Sequence, residues 1–88
     1  MSYKSEFTRL FLKLLDKLDA QNRERILNAI DEVLNNPRHG SQLVFERQVL
    51  FKWRVGDYRL VYAINEKSKS VIFVVVDHRK RVYKRHGI

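Results

Sequence analysis

Apolar residues Phe7, Leu10, Phe11, Leu14, Leu15 and Leu18 recur at i, i+3, i+4, i+7, i+8 and i+11, with Arg9, Lys13, Asp16 and Lys17 between them. This spacing collects the apolar side chains on one stripe and predicts an amphipathic helix over residues 7–18. A short connection at 19–21 can cap a second helix, whose stripe of Ile26, Leu27, Ile30, Val33 and Leu34 runs until Asn35-Asn36-Pro37 stops it. The two stripes are expected to face each other as an αα-hairpin. Ahead of them, residues 2–6 read either as an extended segment joining a sheet edge or as the lead-in to the first helix.

After a loop at 38–41 the pattern changes to β-branched and aromatic residues in three runs, 49–55, 58–64 and 71–76. These predict three antiparallel strands. Gly56-Asp57 separates the first two, and glycine at the first loop position suits a type II′ hairpin. Residues 65–70 make a looser turn. The third run is apolar almost throughout, which predicts a strand covered on both faces.

A two-residue turn pairs Val55 with Tyr58, Arg54 with Arg59, Trp53 with Leu60, Lys52 with Val61 and Phe51 with Tyr62. In that register Phe51, Trp53, Val55, Tyr58, Leu60 and Tyr62 share the face that can pack under the helices. Lys52, Arg54 and Arg59 share the other. Like charges placed opposite each other weaken a sheet, and no acidic residue of the hairpin relieves these within the pairing, so the face reads as a built anion site. Trp53, Tyr58 and Tyr62 read as core.

Length and composition limit what such a site can be. A chain of 88 residues suits one domain over 1–88, with an open site rather than a deep pocket. There is no Cys, and His39, His78 and His86 are too scattered for metal-ligand spacing, so neither a metal nor another cofactor is expected. Neither a signal peptide nor an apolar run of ~18 residues is visible, and the cytoplasm is the default. The net charge of +8 is uneven. Residues 1–44 carry seven Lys/Arg against six Asp/Glu, whereas residues 45–88 carry eleven against four. A half this basic attracts polyanions.

The run Lys52-Trp-Arg-Val-Gly-Asp-Tyr-Arg-Leu-Val-Tyr62, followed by Phe73-Val-Val-Val and His78-Arg-Lys-Arg-Val-Tyr83, resembles the toxins of the RelE/ParE superfamily, more its RelE branch. The resemblance implies an α+β fold in which a short N-terminal strand and a two-helix antiparallel hairpin pack on a small antiparallel β-sheet. It implies a toxin of a type II toxin–antitoxin system, a ribosome-dependent endonuclease that cuts mRNA in the A site. It also implies a RelB-like antitoxin partner, with the ribosome and mRNA as further partners and no membrane. By position, the family's site maps to Lys52, Arg54, Arg59, Arg79 and Tyr83. The hairpin turn is shorter than in the bacterial RelE prototype, and His78 stands where that protein has a basic residue.

Metal-free RNA cleavage has to deprotonate the ribose 2′-OH, stabilise charge on the phosphorane and protonate the 5′-oxygen. Lys52 suits the base, because an ammonium crowded by guanidinium groups can release its proton while arginine stays charged. Arg54 and Arg59 would grip the phosphate and Arg79 would add charge at the transition state. Tyr83 fits the acid by resemblance, and His78 fits it because an unperturbed imidazole has a pKa near neutrality. Lys80, Arg81, Lys84 and Arg85 read as RNA-binding charge. The alternative is a non-catalytic module, either a ParE-like inhibitor of DNA gyrase or a degenerate toxin kept for binding.

Overall fold

In the computed structural model, which describes residues 3–88, Thr8 starts the first helix: its Oγ1 accepts the Phe11 N–H at 3.0 Å. That bond satisfies one of the donors every helix start leaves unpaired. Helix α1 is Arg9–Asp16 and α2 is Ala20–Asn35. Between them Arg23 donates to the carbonyls of Asp16 at 3.1 Å and Leu18 at 2.8 Å, covering acceptors exposed where α1 ends. Asp19 occupies the N-cap position of α2, but its carboxylate accepts from the Asn22 side chain instead of a backbone N–H. Pro37 ends the helical run in a single 3₁₀ turn, Pro37–His39.

Among the described residues five strands form one sheet, in the order β1-β5-β4-β3-β2. Strand β1 is Lys4–Phe7, β2 Ser41–Phe45, β3 Gln48–Val55, β4 Tyr58–Asn65 and β5 Ser70–His78. The N-terminal segment is thus the extended one of the two readings, although Ser2 lies outside the described residues. The sheet is mixed where an antiparallel one was expected, because β1 pairs with β5 in parallel. The two are joined by nearly the whole chain, so no tight hairpin forces them antiparallel. Strand β2 was not anticipated. Its turn to β3 is Glu46-Arg47, without a glycine, and Glu46 adopts a φ of 57°.

The β3–β4 pairing matches the expected register at all five pairs. Gly56 has a φ of 58° and Asp57 does not share it, as a type II′ turn requires. Along β4–β5 the register shifts between Val61 and Tyr62, so that Val61 faces Val75 while Tyr62 faces Phe73. This bulge inverts the alternation of β5. Phe73, Val76 and His78 then lie on the helix side, with Val75 and Asp77 on the other.

Both helical stripes turn onto the sheet more than onto each other, α1 over β5 and α2 over β3. Phe11, Ile26, Ile30 and Val33 join Phe51, Leu60, Tyr62 and Phe73 in the main core. A second, smaller core on the opposite face holds Leu50, Val61, Val75 and Val82. Val82 belongs to a one-turn helix α3, Val82–Arg85, formed within the basic tail. The apolar third run is therefore covered on both sides, as its composition predicted. Among the described residues no helix is long and apolar enough to cross a membrane.

Candidate functional site

The pleat carries Lys52 and Arg54 of β3 and Arg59 of β4 onto the face opposite the helices, where Arg54 stands directly across from Arg59. Arg79, Lys80 and Tyr83 close over them from the end of β5 and from α3, and Ser41 enters from the start of β2. Together these seven side chains line an open cleft of about 500 Å³, and no carboxylate is among them.

Each member is held differently. Arg59 is buried, and its Nη1 donates to the carbonyls of Gly56 at 2.9 Å and Tyr58 at 2.8 Å, so its guanidinium is fixed beneath the hairpin turn. Arg54 is exposed. The Arg79 N–H donates to the Asp57 carbonyl at 2.7 Å, and its Nε lies 3.7 Å from the Asp57 carboxylate. That exposed pair adds little energy but ties the strand end to the hairpin turn. The Tyr83 ring packs on the second core, and Lys52 Nζ stands 5.6 Å from its centroid, within cation–π range.

Five of the six residues expected to do chemistry thus converge: Lys52, Arg54, Arg59, Arg79 and Tyr83. His78 does not line the cleft. It pairs with Tyr58 on the helix side, where the two rings meet edge-on at 5.7 Å and its Nδ1 accepts the Lys80 N–H. The bulge in β5 is the physical reason, since it inverts which alternate residues face the cations. Of the residues read as RNA-binding charge, Lys80 lines the cleft, whereas Arg81, Lys84 and Arg85 do not. Arg81 and Arg85 instead approach Asp77 at 3.4 and 3.5 Å.

Two residues near the site were missed. Ser41 depended on recognising β2, whose alternation of Leu43 and Phe45 with polar or exposed neighbours is short. Asp77 is the only acidic residue between Val71 and Ile88, and it is buried beside Arg59 in the sheet register. Its isolation at the head of a basic run was the available signal. Burial alone would raise its carboxyl pKa, but the His78 N–H, His86 and Arg81 together hold it below the usual aspartate value. Tyr62 behaves as the core residue expected. Its hydroxyl donates to the Pro37 carbonyl at 2.7 Å, and burial pushes its pKa up to about 12.

Helices thus cover one face of a small mixed sheet, and a cation cleft without carboxylates opens on the other. The family model for the ParE toxin of type II toxin-antitoxin system, parDE, matches residues 5–83. Toxin RelG of Mycobacterium tuberculosis is 32% identical over 87 residues, covering 97% of this chain and all of that protein. Among solved structures, the toxin–antitoxin complex RelBE2 from M. tuberculosis contains a chain 31% identical with a TM-score of 0.81, covering 90% of this chain and 100% of that one. The archaeal RelE-RelB complex from Pyrococcus horikoshii contains another, 25% identical with a TM-score of 0.77, covering 93% and 100%. The chain belongs to the RelE/ParE superfamily and is a toxin of a type II toxin–antitoxin system.

Proposed function

We propose that this toxin is a metal-independent, ribosome-dependent mRNA endonuclease that inhibits translation in the cytoplasm. The observation that carries the reading is the convergence of Lys52, Arg54, Arg59, Arg79 and Tyr83 on one open, carboxylate-free cleft. In its neutral form Lys52 takes the proton of the ribose 2′-OH, and the freed oxygen attacks the adjacent phosphorus. Arg59, already fixed by the turn carbonyls, and the freer Arg54 and Arg79 face the charge that builds on the phosphorane oxygens. The P–O5′ bond breaks as Tyr83 protonates the departing 5′-oxygen, leaving a 2′,3′-cyclic phosphate. An open cleft offers few walls to orient RNA, so the ribosome supplies the positioning that the chain lacks.

The toxins in the solved complexes are bound to RelB-type antitoxins. A RelB-like antitoxin is the corresponding partner here, and the exposed Leu10 and Leu12 of α1, beside a groove lined also by Leu15 and Arg23, offer it apolar surface. Primer extension on mRNA from cells expressing this chain alone tests the activity. Cuts within translated frames, abolished by Arg54→Ala, are expected. Intact mRNA with arrested replication would overturn the endonuclease reading in favour of a gyrase-directed toxin.

A further inference from the structure

Helix α3 consists of four residues, too few to hold a helical conformation without outside support. Yet it carries Tyr83, whose position decides whether the cleft has an acid. Two of the contacts that hold this turn involve buried residues. Val82 is fully buried in the second core, which anchors one side of it. The other contact is Asp77, a carboxylate only 6% exposed. Its Oδ1 accepts the His78 N–H at 2.8 Å and lies 3.4 Å from Arg81 Nε, at the residue that precedes α3. Its Oδ2 lies 3.1 Å from His86 Nε2 and 3.5 Å from Arg85 Nη1, at the residues that end the helix. One buried carboxylate therefore grips the chain on both sides of Tyr83. His86 has a side chain only 9% exposed, so its contact is shielded from water, whereas the two arginines are about half exposed.

We infer that Asp77, acting with His86, is a positioning residue that clasps the C-terminal turn to the sheet and thereby holds Tyr83 over Lys52 in the cleft. Asp77 is placed for the task by the β4–β5 bulge, which turns it to the cation face beside Arg59. Arg59 makes no hydrogen bond or ion pair with it; the Asp77 carboxylate is met by Arg81, Arg85 and His86, while Arg59 Nη1 donates to the turn carbonyls. The carboxylate is thus free to serve the tail. The inference rests on the endonuclease reading for its catalytic consequence, but the placement of Tyr83 can be measured without any RNA.

The test compares wild type with Asp77→Asn, which keeps the side-chain shape and removes the charge, and with His86→Gln as a second, milder variant should the first fold poorly. In the free protein the Tyr83 ring should shift the Lys52 ε-methylene protons upfield, and amide exchange should protect the Ile88 N–H, which is bonded to the Tyr83 carbonyl at 3.0 Å. Both signals should weaken in either variant, with the core resonances of Phe11 and Tyr62 unchanged. On programmed ribosomes kcat should fall about as far as in Tyr83→Phe while KM stays near wild type, and Asp77→Asn combined with Tyr83→Phe should lose little more than either alone. A retained Lys52 shift and retained protection in a folded variant would overturn the positioning role whatever the activity does. Loss of both signals with unchanged cleavage would support the clasp and instead remove Tyr83 from the chemistry.

Discussion

At the scale of single residues, the two arginines facing each other across β3 and β4 do different work. From the pattern alone both stand on a solvated face, and removing either should spare the fold. The structure separates them, because Arg59 is buried and supplies two hydrogen bonds to the hairpin turn, whereas Arg54 is exposed. Arg54→Ala should therefore lower cleavage by ~10²–10³, the usual loss for one charge-stabilising donor, with an unchanged melting temperature. Arg59→Ala should lower both, losing roughly 1–3 kcal/mol from the orphaned turn carbonyls. Parallel melting curves and cleavage rates distinguish them, and equal stability of the two variants would contradict the assigned role of the Arg59 guanidinium.

Asp77 adds a pH dependence at the same scale. A carboxyl whose pKa is lower folded than unfolded stabilises the fold above the unfolded value, about 3.9, and that contribution fades as pH falls through the folded value. Urea unfolding of wild type between pH 5 and 2 should consequently lose more stability than unfolding of Asp77→Asn over the same range. Glu66, lowered by its bond from Arg38 and by Tyr3, contributes an acid slope to both proteins and cancels in the difference. Identical pH profiles would show that the buried carboxylate gains nothing from its partners.

At the scale of elements, the join between the 3₁₀ turn and β2 shapes one wall of the cleft. Gly40 lies against the Tyr62 hydroxyl, and a Cβ there would also come within 2.9 Å of the Lys52 carbonyl oxygen. Since that oxygen belongs to the sheet, it cannot move away as a flexible side chain would. Gly40→Ala should destabilise by ~1–3 kcal/mol and, by displacing Ser41 from its pairing with Lys52, reduce cleavage. A crystal structure or chemical-shift map with β2 in place and full activity would refute this.

The same element shows where sequence reasoning stops. The register of the β3–β4 hairpin was legible to the residue, because a two-residue Gly-Asp turn fixes which residues pair across it. Strand β2 was not, since Glu46-Arg47 turns without glycine and the alternation in the strand's five residues is too short to stand out. His78 was a candidate on its chemistry alone, and the side of the sheet it occupies depends on the bulge. Alternation along β5 is sound locally, but a bulge opposite Val61 inverts it, and nothing in an all-valine stretch marks where the extra residue goes. Packing against two unlike cores decides that, and packing is not written in the local pattern.

At the scale of the whole molecule, the cation cleft and the exposed leucines of α1 belong to different elements, and this division should govern how an antitoxin binds. The C-terminal half carries a net +7, gathered around the cleft and the tail, whereas exposed Leu10 and Leu12 sit on α1. Long-range attraction toward an acidic partner then comes from the cation face, while the grip that follows comes from burial of leucine. The first acts on the association rate and is screened by salt, with a Debye length of about 10 Å at 0.1 M against a molecule whose extents are 34 × 28 × 22 Å. The second acts on dissociation and is much less sensitive to salt. Stopped-flow mixing with the cognate antitoxin at ionic strengths from about 0.02 to 0.5 M should show the on-rate falling by roughly tenfold or more, with the off-rate nearly constant. Replacing Lys80 and Lys84 with Glu should flatten the salt dependence of the on-rate, and Leu12→Asp should raise the off-rate while leaving that dependence intact. On-rates indifferent to salt would mean that encounter begins on the apolar face, and that the basic face is reserved for RNA alone.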